Sequence, residues 1–288
     1  MKNLASVSVI KDILSESGFK FSKSLGQNFL IDENVLKKIV DGAHIEPDNG
    51  VIEIGPGFGT LTQRLCMAAG KVVCIEIDKS AIPILENNLS GFNNLKIINA
   101  DVLKTDLKKI ISEEFADSTV KIAANLPYYI TTPIIMSILE ARLPVESLTV
   151  MIQKEVAERI SAKPSTKEYG ALSVAVNYYS EPEMITVVPP SAFIPQPKVS
   201  SAVVKLKLRE NPPVDVTDEK GYFKIVKAAF AQRRKTLLNA LSNSPAIPLE
   251  KDGVSRILQG CGIDGNRRGE TLSLEEFADI ANVVFPGK

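Results

Sequence analysis

The sequence predicts an α/β fold: a doubly wound, largely parallel sheet that ends in antiparallel strands, followed by a small α-helical C-terminal domain. Between residues 51 and 152, short apolar runs alternate with amphipathic patterns, which is typical of parallel strands joined by crossover helices. From 171 to 208 the alternation gives way to β-branched runs. Beyond Pro212 and Pro213, which continue neither a strand nor a helix, helical patterns follow.

Each predicted element is bounded by turn residues or by a change of periodicity. In the parallel part, strands are predicted at 51–54, 72–77, 95–98, 121–124 and 147–152, and helices at 61–69, 81–89, 107–115 and from Pro133 onward. Thr132 suits the N-cap of the last helix, with Pro133 at its first position, where no amide donor is needed. The β-branched runs predict antiparallel strands at 171–179, 184–188 and 199–208.

Two domains are expected from the length and from the proline-rich linker near residue 212. Residues 1–209 would form the sheet domain, with an N-terminal lid segment at about 1–45. Residues 210–288 would form the helical domain, with helices predicted at 223–241, 254–258 and 274–283.

Composition excludes several classes of protein. The 288 residues are 44% hydrophobic and 24% charged, which excludes collagenous, low-complexity and wholly disordered chains. Cys66, Cys74 and Cys261 are too few and too scattered for a disulfide framework or a metal site, and we expect reduced core thiols. Since no apolar run is long enough for a secretory signal or a membrane span, we expect a cytoplasmic protein that binds no metal.

Net charge is a poor guide to the partners of this chain. The 34 basic and 34 acidic side chains cancel, which at face value argues against nucleic-acid binding. However, no acid occurs between Glu183 and Glu210 or between Glu219 and Glu250. These two windows hold Lys198, Lys205, Lys207, Arg209, Lys220, Lys224, Lys227, Arg233, Arg234 and Lys235. Because salt screens charges beyond about 8–10 Å, such local excesses can still attract a polyanion.

A glycine-rich loop follows the first strong strand. Gly55, Gly57 and Gly59 allow the backbone to pass close to a ligand and to turn tightly into a helix. Glu76 ends the next strand, where a carboxylate can accept both hydroxyls of a ribose. The pattern predicts a nucleoside site, and its GxGxG spacing does not demand a pyrophosphate. The alternative is that the glycines only make the strand-to-helix turn.

Asp101 ends the third strand, at the edge of the sheet where ligands of such folds bind. Its carboxylate could accept a hydrogen bond from the amino group of an adenine. The alternative is an N-cap for the segment that starts near Leu103. Three such features on successive strand ends favour an adenosine pocket.

The segment that ends the fourth strand, Asn125–Tyr129, offers acceptors to an amine. The Asn125 side-chain oxygen and the Leu126 carbonyl, which Pro127 holds extended, can accept a hydrogen bond from each N–H of one NH2 group. Tyr128 adds a ring on which a base can stack. The arrangement suits methyl transfer from a sulfonium to adenine N6, where positioning supplies most of the catalysis. The alternative is an ordinary turn, which Asn and Pro favour.

These motifs resemble the ribosomal RNA adenine N6,N6-dimethyltransferases, which modify two neighbouring adenosines near the 3′ end of small-subunit (16S) RNA. The likeness spans nearly the whole chain, and NLPYYITTPII at 125–135 and FIPQPKVSSAV at 193–203 are its most specific parts. Further matching segments are SLGQNFL at 24–30, EIGPGFGTLT at 53–62, CIEID at 74–78, NADVLK at 99–104, EYGALS at 168–173 and FAQRRKTLLNAL at 230–241. The resemblance implies a Rossmann-like class I methyltransferase sheet, S-adenosyl-L-methionine as the cofactor and a role in ribosome biogenesis.

The resemblance also implies residue roles on the cofactor side. The implied cofactor-binding residues are Asn28, Leu30, Gly55, Gly57, Glu76, Asp101 and Asn125. Among them, Gly55 would approach the methionyl part, Glu76 the ribose and Asp101 the adenine. For Asn28 the alternative is a turn residue before the helix near Glu33.

On the target side, the resemblance implies Asn125, Leu126, Tyr128 and Phe193 as catalytic residues. Asn125 would lie between the cofactor and the target amine, and Phe193 would pack against a flipped adenine opposite or beside Tyr128. For Phe193 the alternative is a core aromatic in a proline-rich loop.

The implied partner is an RNA hairpin in the 16S RNA of a small-subunit precursor, gripped largely through phosphates and shape. Candidate RNA-binding residues are Lys20, Lys23, Lys198 and the cluster Arg233, Arg234 and Lys235, predicted to lie on the first helix of the tail domain. The alternative for that cluster is a solvated helix face. We expect a monomer without a membrane partner.

Three other functions remain open at this point. The nearest is the related methyltransferase that modifies one adenosine of large-subunit (23S) RNA and confers macrolide resistance. The second is a non-catalytic RNA-binding or assembly factor on the same fold. The third, a nicotinamide dehydrogenase, is disfavoured by the GxGxG spacing and because the only histidine, His44, lies outside every strand-end motif.

Overall fold

The chain forms two compact units. A computed structural model describes residues 2–17 and 26–287. The first unit consists of Met1–Ala157 and Glu181–Leu208, and the second of Glu158–Ser180 and Arg209–Lys288. This division differs from the predicted 1–209 and 210–288 because the segment from 158 to 180 packs with the C-terminal helices.

The first unit is built on a seven-stranded sheet. Its strands are β2 (Gly50–Ile54), β3 (Lys71–Glu76), β4 (Leu95–Asn99), β5 (Val120–Asn125), β6 (Ser147–Gln153), β7 (Ser180–Val188) and β9 (Ser201–Leu208). They lie side by side in the order β4-β3-β2-β5-β6-β9-β7. Strands β2 to β6 are parallel, and β9 runs antiparallel to β6. Two short strands, β1 (Phe29–Leu30) and β8 (Phe193–Ile194), form a separate antiparallel pair. The predicted fold class is therefore confirmed.

Helices join the parallel strands and cover the sheet. They are α1 (Val7–Ser17), α2 (Glu33–Gly42), α3 (Thr60–Ala68), α4 (Ile82–Asn88), α5 (Leu107–Glu114), α6 (Thr131–Glu140) and α7 (Lys154–Ile160), the last of which continues into the second unit. Every residue of β2 is buried, as expected for a parallel strand covered on both faces, and this includes its one charged residue, Glu53. Leu36 and Ile39 of α2 and Leu65 of α3 pack in one core with Val51 and Val72.

The strand order places a crevice beside β2. From β2 the chain proceeds to β3 and β4 on one side and then crosses to β5 and β6 on the other. Ile54 of β2 lies level with Ile75 of β3 and Ala124 of β5, so the residues that follow them meet at the same edge of the sheet. In such folds a ligand binds where the strand order reverses.

The second unit is helical. It contains α8 (Ala171–Tyr179), α9 (Glu219–Phe230), α10 (Leu237–Ser242), α11 (Lys251–Gly260) and α12 (Leu274–Val284). Tyr178 stacks on Tyr222 with ring centroids 5.1 Å apart, and Tyr179 stacks on Phe223 at 5.7 Å. These aromatic pairs join α8 to α9. Of the helices in the described parts of the chain, none is long and apolar enough to span a membrane.

The predicted strand at 171–179 is wrong, because these residues form α8. Val174 and Val176 favour strands, but burial of nearly the whole helix in the second unit outweighs that preference. The Gly170 amide donates to the Ser173 hydroxyl at 3.0 Å, which satisfies an amide at the start of the helix.

The predicted helix at 223–241 is two helices, α9 and α10, with a turn between them. The Thr236 hydroxyl accepts from the Asn239 amide, so a new helix begins there. Arg233, Arg234 and Lys235 therefore lie on a turn rather than on a helix, which corrects their predicted setting.

Helix α6 begins two residues earlier than predicted. Its first residue is Thr131, so Thr132 is not the N-cap and Pro133 is not the first helical residue. The Thr131 hydroxyl donates to the Pro127 carbonyl at 3.0 Å, which ties the helix start to the preceding turn. Pro133 is tolerated there because the first four amides of a helix have no partner within it.

Candidate active site

A cleft opens at the carboxyl ends of β2, β3 and β5, where the strand order predicts one. It is lined by Gly26, Gln27, Asn28, Phe29, Leu30, Glu53, Gly55, Pro56, Gly57, Thr60, Leu61, Glu76, Ile77, Asn125, Leu126, Pro127, Tyr128 and Tyr129. The cleft thus gathers most of the predicted site residues of the first unit. It does not include Asp101 or Phe193.

The glycine loop forms one wall of the cleft. Gly55, Gly57 and Gly59 have φ angles of 69°, 58° and 91°, a region that side chains with a Cβ rarely adopt. A Cβ on Gly55 would meet no atom within 4 Å, whereas one on Gly57 would lie 2.7 Å from the Phe29 ring. The glycines make the strand-to-helix turn, and Gly55 also leaves open space beside the backbone.

Glu76 is held by backbone amides at the end of β3. The Gly57 amide donates to its Oε2 at 3.1 Å and the Asp78 amide to its Oε1 at 2.8 Å. The side chain is 5% exposed, and burial raises the pKa of its carboxyl although these amide bonds lower it. Each carboxylate oxygen retains a further lone pair, so Glu76 can accept two hydroxyls in a fixed orientation.

The segment from Gly26 to Leu30 crosses the cleft and contacts both strand ends. The Gln27 Nε2 donates to the Asp78 Oδ2 at 2.7 Å. Phe29 stacks on Phe58 with ring centroids 4.1 Å apart. Leu30 pairs with Phe193 in the β1–β8 sheet. The segment is thereby fixed across the cleft at three points.

Asn125 is oriented by this crossing segment. Its Nδ2 donates to the Asn28 backbone carbonyl at 2.9 Å, so its Oδ1 remains as an acceptor on the other side of the amide. The Leu126 amide donates to the Met151 carbonyl of β6 at 3.1 Å, which fixes the backbone next to Asn125. Asn28 itself donates a side-chain bond to the Gly26 carbonyl at 3.1 Å, the local contact of a turn residue.

Tyr128 is anchored through its hydroxyl, which lies 2.6 Å from the Ser201 hydroxyl. Ser201 is fully buried at the start of β9. Burial raises the pKa of the Tyr128 phenol, although the bond to Ser201 lowers it, so the hydroxyl is neutral at physiological pH. The neighbouring Tyr129 is 59% exposed at the edge of the cleft.

Two predicted site residues make structural contacts outside the cleft. The Asp101 Oδ1 accepts from the Leu103 amide at 3.1 Å and so caps the 3₁₀ turn Val102–Lys104. Phe193 is 1% exposed and packs in the core cluster that contains Leu30. These contacts match the alternatives considered for both residues, and their roles toward adenine stay predictions.

The predicted RNA-binding residues differ in their settings. Lys20 and Lys23 lie outside the described residues. Lys198 is exposed in the first unit, and Arg233, Arg234 and Lys235 are exposed in the second. However, the Arg233 Nη2 donates to the Lys167 carbonyl at 2.9 Å and lies 3.9 Å from the Glu270 carboxylate. Part of the guanidinium is therefore already bound within the protein and is less available to a phosphate.

Glu53 begins the matching segment EIGPGFGTLT but was given no role among the predicted site residues; it lines the cleft and is 1% exposed. Burial raises the pKa of its carboxyl to about 7, hydrogen bonds from Thr62 and Cys74 lower it, and the charge of Glu76 raises it. The sequence analysis did not find Gln27, which donates to Asp78, or Ser201, which bonds to the Tyr128 hydroxyl. No local sequence signal indicates either contact, because the partners are far apart in the chain.

Two of the three cysteines are core thiols, as expected. Cys66 and Cys74 are free and buried, whereas Cys261 is free but only partly buried. Burial raises the pKa of the Cys66 thiol to about 12 and that of Cys74 well above its usual value. Among residues 2–17 and 26–287, no group of His, Cys, Asp and Glu side chains could hold a metal ion.

Comparison with known proteins identifies the family. The model of the family described as ribosomal RNA adenine dimethylase matches residues 18–284. A ribosomal RNA small subunit methyltransferase A from Geobacillus thermodenitrificans is 54% identical over 287 residues, which are 99% of this chain and 98% of that protein. One from Alkaliphilus metalliredigens is 55% identical over 284 residues, 99% of each chain.

Solved structures agree with the family. A dimethyladenosine transferase from Plasmodium falciparum superposes with a TM-score of 0.74 at 26% identity, covering 88% of this chain and 95% of that one. The 23S rRNA methyltransferase ErmE superposes with a TM-score of 0.67 at 27% identity, covering 89% and 99%. The chain therefore belongs to the ribosomal RNA adenine dimethylase family.

Proposed function

We propose that this enzyme transfers methyl groups from S-adenosylmethionine to the N6 amines of two adjacent adenosines in the 3′-terminal hairpin of 16S ribosomal RNA. The observation that carries the proposal is the orientation of Asn125. Because its NH2 group is bound to the Asn28 carbonyl, its oxygen is the acceptor offered to an amine in the cleft. The names of relatives more than 50% identical over nearly the whole chain support the small-subunit substrate.

The residues of the cleft fit a cationic nucleoside cofactor. Gly55 leaves the space that a Cβ would fill, and Glu76 offers acceptors that backbone amides hold in place. In the described lining of the cleft, the charged side chains are two acids, Glu53 and Glu76, which suits a positively charged ligand. When bound, S-adenosylmethionine supplies a methyl group on a sulfonium, which is a good leaving group.

The chain's own residues then position the amine. Asn125 Oδ1 and the Leu126 carbonyl would accept hydrogen bonds from its two N–H groups, so the nitrogen would be held as its lone pair turns out of conjugation with the ring. Tyr128 supplies the ring on which the extruded base stacks, and its bond to Ser201 fixes the angle of that ring. Asp101 and Phe193 complete the adenine contacts of cofactor and target in this proposal.

RNA binding is proposed for exposed basic residues of both units. Lys198 in the first unit, and Arg234 and Lys235 in the second, would contact phosphates, and Arg233 would contribute after partial release from Glu270. Lys20 and Lys23 are included on the sequence pattern alone. We further propose that the protein is a cytoplasmic monomer that acts on a small-subunit precursor and contributes to its maturation.

The proposed function is tested by measuring which ribosomal subunit the protein methylates. The protein is incubated with S-adenosylmethionine carrying a labelled methyl group and with either small or large ribosomal subunits that lack the adenine modifications. We expect label in small-subunit RNA only, and much less with Asn125→Ala as the matched control. Label in large-subunit RNA only would indicate the macrolide-resistance activity, to which the likeness to ErmE also points. Cofactor binding without label in either RNA would indicate a non-catalytic factor.

A further inference from the structure

A fully buried acid lies in the wall of the cleft, and among residues 2–17 and 26–287 no basic side chain lines that cleft. Glu53 is on β2, two residues before Gly55. Glu53 and Glu76 are the charged side chains among the cleft-lining residues that the structure describes. A buried carboxylate without a cation is costly, because the interior of a protein screens its charge poorly.

The two acids of the cleft are held by different kinds of donor. Glu76 accepts two backbone amide bonds, which stabilise the anion. Glu53 accepts from the Cys74 thiol at 3.4 Å, a weak donor, and from the Thr62 hydroxyl. Two groups in one cavity with environments this different are expected to carry different charges at the same pH.

Within the described parts of the chain, the groups that face Glu53 offer it no compensating charge. Helix α3 presents Thr62 and Cys66, and β3 presents Cys74 and Glu76. Both thiols are neutral because burial raises their pKa values, and Glu76 adds a negative field. Burial raises the pKa of Glu53 to about 7, so a large share of the molecules carry its proton at neutral pH and most of them carry it at lower pH.

We propose that Glu53 matches its charge to that of the ligand. Below pH 7 it is mainly a neutral acid when the cleft is empty or holds the thioether product, whose ammonium and carboxylate balance each other. At the same pH it is an anion when the cleft holds the sulfonium cofactor, which carries one more positive charge. The inference rests on the proposed function, since it takes the cofactor to be S-adenosylmethionine. The proton of Glu53 passes to solvent when the cation binds, because a nearby positive charge favours the carboxylate.

Proton balance closes over one methyl transfer. The N6–C bond forms, the S–C bond breaks with its electron pair left on sulfur, and one proton leaves N6. The positive charge of the sulfonium is thereby lost from the cleft, and Glu53 takes up a proton in its place. The cleft therefore binds S-adenosylmethionine more tightly than S-adenosylhomocysteine. The only interaction that differs between the two ligands is the attraction between Glu53 and the positive charge on sulfur.

The affinity of the cleft for the cofactor should depend on pH, because binding of the cofactor releases the proton of Glu53. Below pH 7 the cofactor must displace a proton, so its affinity falls by up to about tenfold per pH unit. The affinity for S-adenosylhomocysteine stays nearly constant there, because Glu53 keeps its proton. The ratio of the two affinities therefore rises with pH between 5.5 and 7.

Calorimetry in two buffers with different heats of ionisation counts the protons released on binding. For the intact chain with S-adenosylmethionine we expect a proton release that rises toward one proton as the pH falls from 7 to 6, and close to none with S-adenosylhomocysteine. Glu53→Gln should abolish this release. The matched control Glu46→Gln, which changes an exposed acid before β2, should leave it unchanged.

Equal proton release by the intact chain and Glu53→Gln would overturn the inference. If Glu53→Gln does not fold, the affinity ratio of the intact chain decides: a ratio that does not change between pH 5.5 and 7 overturns the inference, and the predicted rise supports it. Failure of the intact chain to bind S-adenosylmethionine at all would overturn the proposed function, and the inference with it.

Discussion

The cleft and the turn between α9 and α10 use charge in opposite ways. In the cleft, Glu53 and Glu76 are buried acids whose orientation is set by β-strands and by backbone amides. In the turn, Arg233, Arg234 and Lys235 are exposed cations on flexible side chains. The first arrangement fixes atoms for chemistry, and the second supplies charge at a surface.

This comparison explains why a net charge of zero does not exclude RNA. Buried acids beside a cationic ligand have little effect on a polyanion outside, whereas exposed cations act at short range. The structure also refines the count, because Lys205, one of the ten basic residues in acid-free windows, is buried on β9. A change in the cleft should therefore affect catalysis or cofactor binding, and a change in the turn should affect RNA binding.

The largest effect is expected for Asn125→Ala. Loss of the oriented amide oxygen should slow methyl transfer about 100- to 1,000-fold, the range found when one preorganised group is removed from a reacting centre. Cofactor affinity should change only a few-fold, because Glu76 and the glycine loop remain. Single-turnover rates on small subunits, with calorimetry of cofactor binding, measure both. A normal rate would refute the role of Asn125.

Next in size is Gly55→Ala. The methyl group would project into open space in the cleft, and the positive φ of Gly55 adds a backbone strain of about 1–2 kcal/mol. We expect cofactor affinity to fall about 30-fold by calorimetry. Gly262→Ala is the matched control, since Gly262 has a φ of 70° and open space but lies in the second unit. Equal affinity losses in both variants would mean that strain alone is responsible.

A smaller effect is expected in the turn. Replacing Arg233, Arg234 and Lys235 together by Ala should weaken binding to small subunits about tenfold and reduce the dependence of binding on salt. Arg233→Ala alone should matter least, because Arg233 already contacts Lys167 and Glu270. Filter binding across a salt series measures this, with the exposed Lys108→Ala as control. An unchanged salt slope would remove the turn from the RNA site.

The smallest effect is expected for Ser201→Ala and Tyr128→Phe. Each removes one end of a single hydrogen bond, so we expect kcat to fall about threefold with little change in KM. The double variant should be no slower than either single one, because both changes remove the same bond. Additive losses would show that the two hydroxyls act independently.

The site motifs at the strand ends could be predicted from the sequence, because each depends on the conformation of its own short segment of backbone. The glycine loop, Glu76 and Asn125 each follow an apolar strand, and parallel strands bring their carboxyl ends together. Contacts between distant segments were not readable. The bonds from Gln27 to Asp78 and from Tyr128 to Ser201 join residues 51 and 73 positions apart, and no local pattern specifies such partners.

The errors in the predicted secondary structure also arose from contacts between distant segments, which the local sequence does not specify. Helix α8 was predicted as a strand because Val174 and Val176 favour β-structure, and only packing within the second unit overrides that preference. The break after α9 was missed because the segment 231–236 contains neither glycine nor proline to mark it.

The most direct test of the account is the number and position of the methyl groups. Small subunits that lack the modification are treated with the protein and S-adenosylmethionine, and nuclease fragments of their RNA are analysed by mass spectrometry. The account predicts two methyl groups on N6 of each of two adjacent adenosines in the 3′-terminal hairpin. A single methylated adenosine elsewhere, or methyl groups on large-subunit RNA alone, would contradict it.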